Sequence, residues 1–151
     1  MGSVQKRIGY GVIAAVISVL IFHQAMWTLL HYLALPGIGM PPPYPTDPVP
    51  PFSIPRIVNL CFWGGVWGAV FGAVWRGSRS TYWWAGLILG AAAAFTGLFI
   101  VPAIKGLPLG GLVLNNWIRS LLINGFWGLG VGLILMVATG QTAKREEYAN
   151  R

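Results

Sequence analysis

Four stretches of the chain are apolar almost without interruption: Ile8 to Leu30, Ile57 to Trp75, Tyr82 to Val101 and Ile118 to Ala138. Each approaches or exceeds the roughly 20 residues that an α-helix needs to cross a hydrocarbon core of about 30 Å. A helix is the required form there, because no water is at hand and every backbone N–H and C=O must be satisfied within the segment. The pattern therefore predicts an all-α fold, an integral membrane four-helix bundle forming a single membrane domain over residues 1–151, with spans at 8–30, 57–75, 82–101 and 118–138. A proline-rich outer loop fills 36–55, and a cytoplasmic tail runs from 139 to 151. Only "RGSRST" separates the second run from the third, which predicts that those two helices are antiparallel neighbours.

The charged residues orient the spans. Lys6, Arg7, Arg76, Arg79, Lys144, Arg145 and Arg151 fall on one side of the four runs, and Arg56, Lys105 and Arg119 on the other. By the preference of basic loops for the cytoplasm, both termini are predicted to be cytoplasmic, in a multi-pass protein of the cell membrane, the inner membrane in a bacterium. Trp75, Trp83 and Trp84 then mark the inner interface, and Trp27, Tyr32 and Trp117 the outer one. The first run follows a basic segment but is longer than a signal-peptide core and lacks an A-x-A-like site, so it reads as a retained span. Neither "MGSVQK" nor the C-terminus carries a lipidation box.

Composition agrees with this reading. At 56% hydrophobic and 9% charged residues, with a mean hydropathy of +0.67, the chain cannot cover a soluble globule. The net charge of +7 sits at the ends of apolar runs, not on a basic face, which argues against nucleic acid as a partner. Cys61 is alone and reads as a small core residue.

Two anchors recur in order: "LPGI" at Leu35 is echoed by "VPAI" at Val101, and "FWG" at Phe62 by "FWG" at Phe126, while Arg56 and Arg119 open the second and fourth spans. This predicts two tandem helical hairpins inserted the same way, a parallel repeat, against the alternative of chance similarity between glycine-rich helices. Gly64, Gly68 and Gly72 form a row of nearly bare backbone on the second span; Gly86 and Gly90 repeat it on the third, Gly128 and Gly132 on the fourth. In lipid, helices associate by close van der Waals contact, so such glycine-zipper rows predict helix-packing surfaces, with Trp63, Trp67 and Trp127 filling the space beside them. Small-residue rows also line some pores, which is the alternative. "GYGVIA", Gly9 to Ala14, matches a dinucleotide fingerprint by letter only, since no strand precedes it.

His23 and Gln24 fall inside the first span and His31 near its outer end; counting along the helices puts Thr96 and Asn124 at a comparable depth to His23, with Asn59 slightly above. Three roles compete for this polar layer. It can be structural glue, with His23 and Gln24 bonding to Asn124, Thr96 or a Trp N–H. It can hold haem through His23 or His31, although two histidines eight residues apart on one helix cannot grip both faces of one haem, so a partner would donate the second ligand. It can line a channel or carrier path through His23 and Asn124, with proton coupling disfavoured because Asp47, Glu146 and Glu147 all lie outside the spans. No HExxH or Cys cluster exists for a zinc site. Arg56 and Arg119 are placed to contact an anionic group such as a lipid phosphate, or to snorkel. Asp47, paired with a nearby cation, would fold its loop onto the bundle.

The loop "PGIGMPPPYPTDPVPPFSIP" holds nine of the eleven prolines, which predicts a semi-rigid polyproline II segment, either a docking surface or a stiff spacer. No nucleophile with a base, carboxylate pair or phosphate loop is visible, so no enzymatic activity and no cofactor other than the haem alternative is expected. The expected function is a non-catalytic structural, assembly or accessory subunit, whose partners are the lipid bilayer and either copies of itself or a larger membrane protein.

Overall fold

The computed structural model describes residues 3–149, with their side chains as far as Gly140. Four helices dominate: α1 (Val4–Leu33), α2 (Arg56–Val74), α3 (Arg79–Ile104) and α4 (Leu114–Ala149). All four are long and apolar enough to cross a membrane, and together they form an all-α four-helix bundle. The helix of the last span continues to Ala149, where the sequence suggests a tail from residue 139. Arg151 and the side chains of Lys144 and Arg145, which the orientation argument counts, lie outside the described residues. A short antiparallel pair, β1 (Pro48–Val49) and β2 (Ile54–Pro55), folds the proline-rich segment, with Pro48 opposite Pro55. Turns at 36–38 and 50–53 interrupt that segment, so it is not one continuous polyproline II helix.

The helices pair as 1 with 2 and 3 with 4. Helices α2 and α3, joined by the shortest connection, are antiparallel but touch at only a few residues, so loop length alone misidentifies the packing partner. The reason lies in the small residues. A Cβ added at Gly11 would fall on the Gly68 carbonyl, and one at Gly72 on the Arg7 carbonyl; in the second hairpin a Cβ at Gly86 would fall on the Gly128 carbonyl and one at Gly132 on the Tyr82 carbonyl. Backbone lies directly on backbone, where only glycine fits, and close contact replaces the hydrophobic drive that lipid does not supply. The two hairpins meet where α1 crosses α4. There Ser18 donates to the Trp127 carbonyl (2.6 Å) and the Trp127 indole donates to the Ala15 carbonyl (3.1 Å), amid buried Ala14, Val19, Leu89 and Val131.

These contacts relate the two hairpins position by position: Gly11 answers to Gly86, Gly68 to Gly128, and Gly72 to Gly132. The "FWG" echo pairs Gly64 with Gly128 and is thus displaced by one helical turn from the correspondence in space. Trp127 is buried beside Gly64, as expected, whereas Trp63 is 54% exposed and faces away from the glycine row.

Each hairpin is tied at the same end by an arginine. Arg7 donates to the Gly72 and Ala73 carbonyls at the close of α2 (3.2 and 3.4 Å), and Arg79 donates to the Met136 carbonyl of α4 (2.6 Å). The N-terminal end of α1, the α2–α3 connector and the Met136 region therefore share one end of the bundle. At Gly72 and Ala73 the cation satisfies terminal carbonyls and complements the α2 dipole, whereas Met136 lies within α4. Arg7→Gln is expected to loosen the last turn of α2 by about 1 kcal/mol, read as roughly five-fold faster exchange of the Trp75 amide, which bonds to the Phe71 carbonyl. Exchange near Ile57 should be unchanged.

Along α2 from Arg56 to Ala73, and along α4 from Arg119 to Met136, the distance is the same seventeen steps, about 26 Å at about 1.5 Å per residue. Two arginines at one end and two carbonyl-bound arginines at the other thus frame a slab close to the thickness of a hydrocarbon core.

Candidate functional site

Above that slab α1 carries a polar stripe. Gln24, Trp27 and His31, spaced three and four apart, fall on one face of the helix. The proline-rich segment runs down this face in the opposite direction. His31 Nδ1 lies 2.9 Å from the Met40 carbonyl, the Trp27 indole donates to the Pro41 carbonyl at 2.9 Å, and the Tyr44 N–H donates to Gln24 Oε1 at 2.7 Å. Tyr44 then reaches deeper still, its hydroxyl donating to the Leu20 carbonyl at 2.9 Å, within the wide π-type turn Val19–His23 of α1.

Proline richness makes this docking feasible. Backbone donors must be satisfied wherever water is scarce. In "PPPYP", Pro41 to Pro45, only Tyr44 has an N–H, and Gln24 accepts it. Two carbonyls of the segment, those of Met40 and Pro41, go to His31 and Trp27. The helix stripe is thus a set of side chains matched to the few polar groups that the segment retains.

The bonds also fix proton positions. The Tyr44 N–H can only donate, so the Gln24 oxygen faces it and the Gln24 NH₂ faces His23 Nδ1, 3.3 Å away. His23 therefore accepts at Nδ1 and carries its proton on Nε2. His31, facing a carbonyl, carries its proton on Nδ1. Gln24 is 1% and His23 6% exposed, the latter with its ring 5.7 Å from that of Trp27.

The other residues singled out from the sequence are distributed differently. Asn124 donates to the Ser120 carbonyl on its own helix (3.0 Å) instead of meeting His23 or Gln24. Thr96 opens the π-type turn of α3, Thr96–Ile100, and Asn59 is half-buried on α2. Tyr44 and Pro45 bind Gln24 and the Ile57 N–H respectively, which places Gln24 level with the start of α2 and so with Arg56. The pair His23 and Gln24 thus lies at the end of the slab that Arg56 marks, and α1 extends about 14 Å beyond α2 there. Arg56 pairs with Asp47 (3.2 Å), both exposed, and Arg119 donates to Asn116 (3.0 Å), so the two arginines are engaged separately. Trp27, Tyr44, Ser18, Arg7 and Gly11 make contacts that sequence reasoning passed over. For Gly11 the signal was present in Gly11-x-x-x-Ala15, a small-residue pair hidden inside the misleading "GYGVIA".

Chemically the stripe is a clamp for backbone, with its hydrogen-bonding capacity directed at the chain's own loop. Among the described residues no three His, Cys, Asp or Glu side chains gather where they could hold a metal ion. Fold and site together define a multi-pass helical membrane protein with a folded-back proline-rich loop. Comparison with protein-family models, with curated proteins and with solved structures finds no match for the chain.

Proposed function

We propose that the protein is a non-catalytic accessory subunit of a membrane assembly, joined to its partners through its outer end. The observation that carries this reading is a group of large apolar side chains beyond the arginine-bounded slab: Tyr32 (78% exposed), Phe52 (82%), Ile104 (81%) and Leu112 (79%). Exposure of this kind within the slab is satisfied by lipid. Above it the same surface faces water or headgroups, and exposed apolar side chains there fit another protein. Clamping by α1 presents Phe52 on an ordered loop, which lowers the entropic cost of association. The glycine rows support an accessory role over a pore, since they are closed by backbone of the same chain.

Cross-linking in intact membranes followed by native electrophoresis tests the proposal. The wild-type chain should migrate in a complex larger than itself. Phe52→Asp and Leu112→Asp should each weaken that complex by about 2 kcal/mol, roughly thirty-fold. Val70→Ala, on the lipid-facing side of α2, should leave it intact. A chain that is monomeric in its own membrane would sink the reading.

A further inference from the structure

The weak contact between α2 and α3 leaves a groove of about 220 Å³, lined by Val70 and Val74 from α2, by Trp75 just past its end, and by Ala85, Ile88 and Ala92 from α3. Val74 is 72% and Ile88 58% exposed, so the groove opens sideways from the bundle, inside the slab where acyl chains lie. Its inner end is crossed by the connector of the two helices, because a connector between sequential antiparallel helices must bridge the crevice between them. That connector carries Arg76, which is exposed and makes no hydrogen bond or ion pair among the described residues, unlike Arg79 with its bond to Met136. At the same end the Trp75 indole N–H is buried without an acceptor among the described residues, with Trp84 packed edge-on against its ring.

From this combination we propose that the α2–α3 groove binds a phospholipid with an anionic headgroup. One acyl chain lies along Val70, Val74, Ile88 and Ala92, and the headgroup phosphate faces Arg76. The apolar lining alone would accept any chain-like lipid. Selectivity comes from the charge at the mouth, since a basic residue near the surface favours an anionic lipid by about 1 kcal/mol, or about five-fold. The Trp75 N–H at the same end is itself covered, so selectivity rests on Arg76. This site is remote from the outer end, and the proposal does not depend on the accessory-subunit reading.

The test uses the full chain in phosphatidylcholine vesicles containing a small, known fraction of phosphatidylglycerol, extracted in mild detergent, with retained lipids counted by native mass spectrometry. Phosphatidylglycerol should be enriched about five-fold over its share of the vesicle. The enrichment should persist in Arg76→Lys, fall to the vesicle ratio in Arg76→Gln, and disappear together with the retained lipid in Ala92→Phe, which fills the groove. Arg76 and Ala92 are both exposed, so these variants keep the fold, as circular dichroism should verify. Retention at the vesicle ratio by the wild-type chain would overturn the proposal. So would enrichment that survives Arg76→Gln, or a disulfide-linked dimer formed efficiently by Val74→Cys, which would put a second copy in the groove.

Discussion

Replacing Gly128 with alanine is expected to destabilise the bundle by about 3 kcal/mol, whereas the same change three residues earlier, at Gly125, should leave it equally or slightly more stable. Both glycines are helical, and intrinsic propensity favours alanine over glycine by about 1 kcal/mol at either site. What differs is the neighbour. A Cβ at Gly125 meets nothing within 4 Å, while one at Gly128 falls on the Gly86 carbonyl and lies 2.8 Å from the Gly90 nitrogen. Backbone cannot rotate away as a side chain can, so the helices must separate, and the loss of contact spreads along the hairpin. Gly68→Ala and Gly11→Ala should behave like Gly128→Ala in the first hairpin, and Gly9→Ala like Gly125→Ala. Pairing Gly86→Ala with Gly128→Ala should cost less than the sum, because both push apart one crossing. Reversible unfolding in mixed micelles measures the difference. Equal stability of the Gly128 and Gly125 variants would show that the crossing is looser than the structure has it.

The extent to which the sequence foretold this architecture differs from one feature to another. Uninterrupted apolar runs reveal helices in lipid because length and solvent leave no other form, and the four spans were legible within a few residues at most of their ends. Glycine rows on α2, α3 and α4 were legible as contact surfaces, because four-residue spacing places them on one face. The residues that each row meets were not. Connector length pointed to α2 beside α3, while the repeat pointed to tandem hairpins of α1 with α2 and α3 with α4; the structure follows the repeat, and Gly11 was needed to see what the α2 row meets. Nor was the fate of His23 and Gln24 legible. Their polarity in an apolar run announced a need for partners, but the partner is a backbone N–H twenty residues on, in a loop whose composition suggested a stiff exposed segment. Side chain-to-backbone bonds of this kind leave no residue-type signature, since any non-proline residue at that position would offer the same N–H.

Gln24→Leu is expected to release the proline-rich segment from α1 without unfolding the bundle. Leucine fills nearly the same volume, so the loss is chemical: the Tyr44 N–H, flanked by prolines and held at a buried side chain, is left with no acceptor, at a cost of about 1–3 kcal/mol. Gln24 matters more than the other clamp residues because it holds the only backbone donor of Pro41 to Pro45, whereas the carbonyls released from Trp27 or His31 can turn outward to water. Pro45 is buried in the wild-type arrangement, and a cysteine placed there reports opening of the segment. Against that background, Gln24→Leu should raise the maleimide labelling rate about thirty-fold, the factor matching about 2 kcal/mol of lost local stability. Tyr44→Phe, which removes only the bond to the Leu20 carbonyl, should raise it by less. A cysteine replacing Thr46, already exposed, should label at one rate in all three backgrounds. If the Pro45→Cys thiol stays as protected after Gln24→Leu as it is with Gln24 in place, the segment is held by burial of its proline rings alone, and the polar stripe on α1 must be there for something other than the loop.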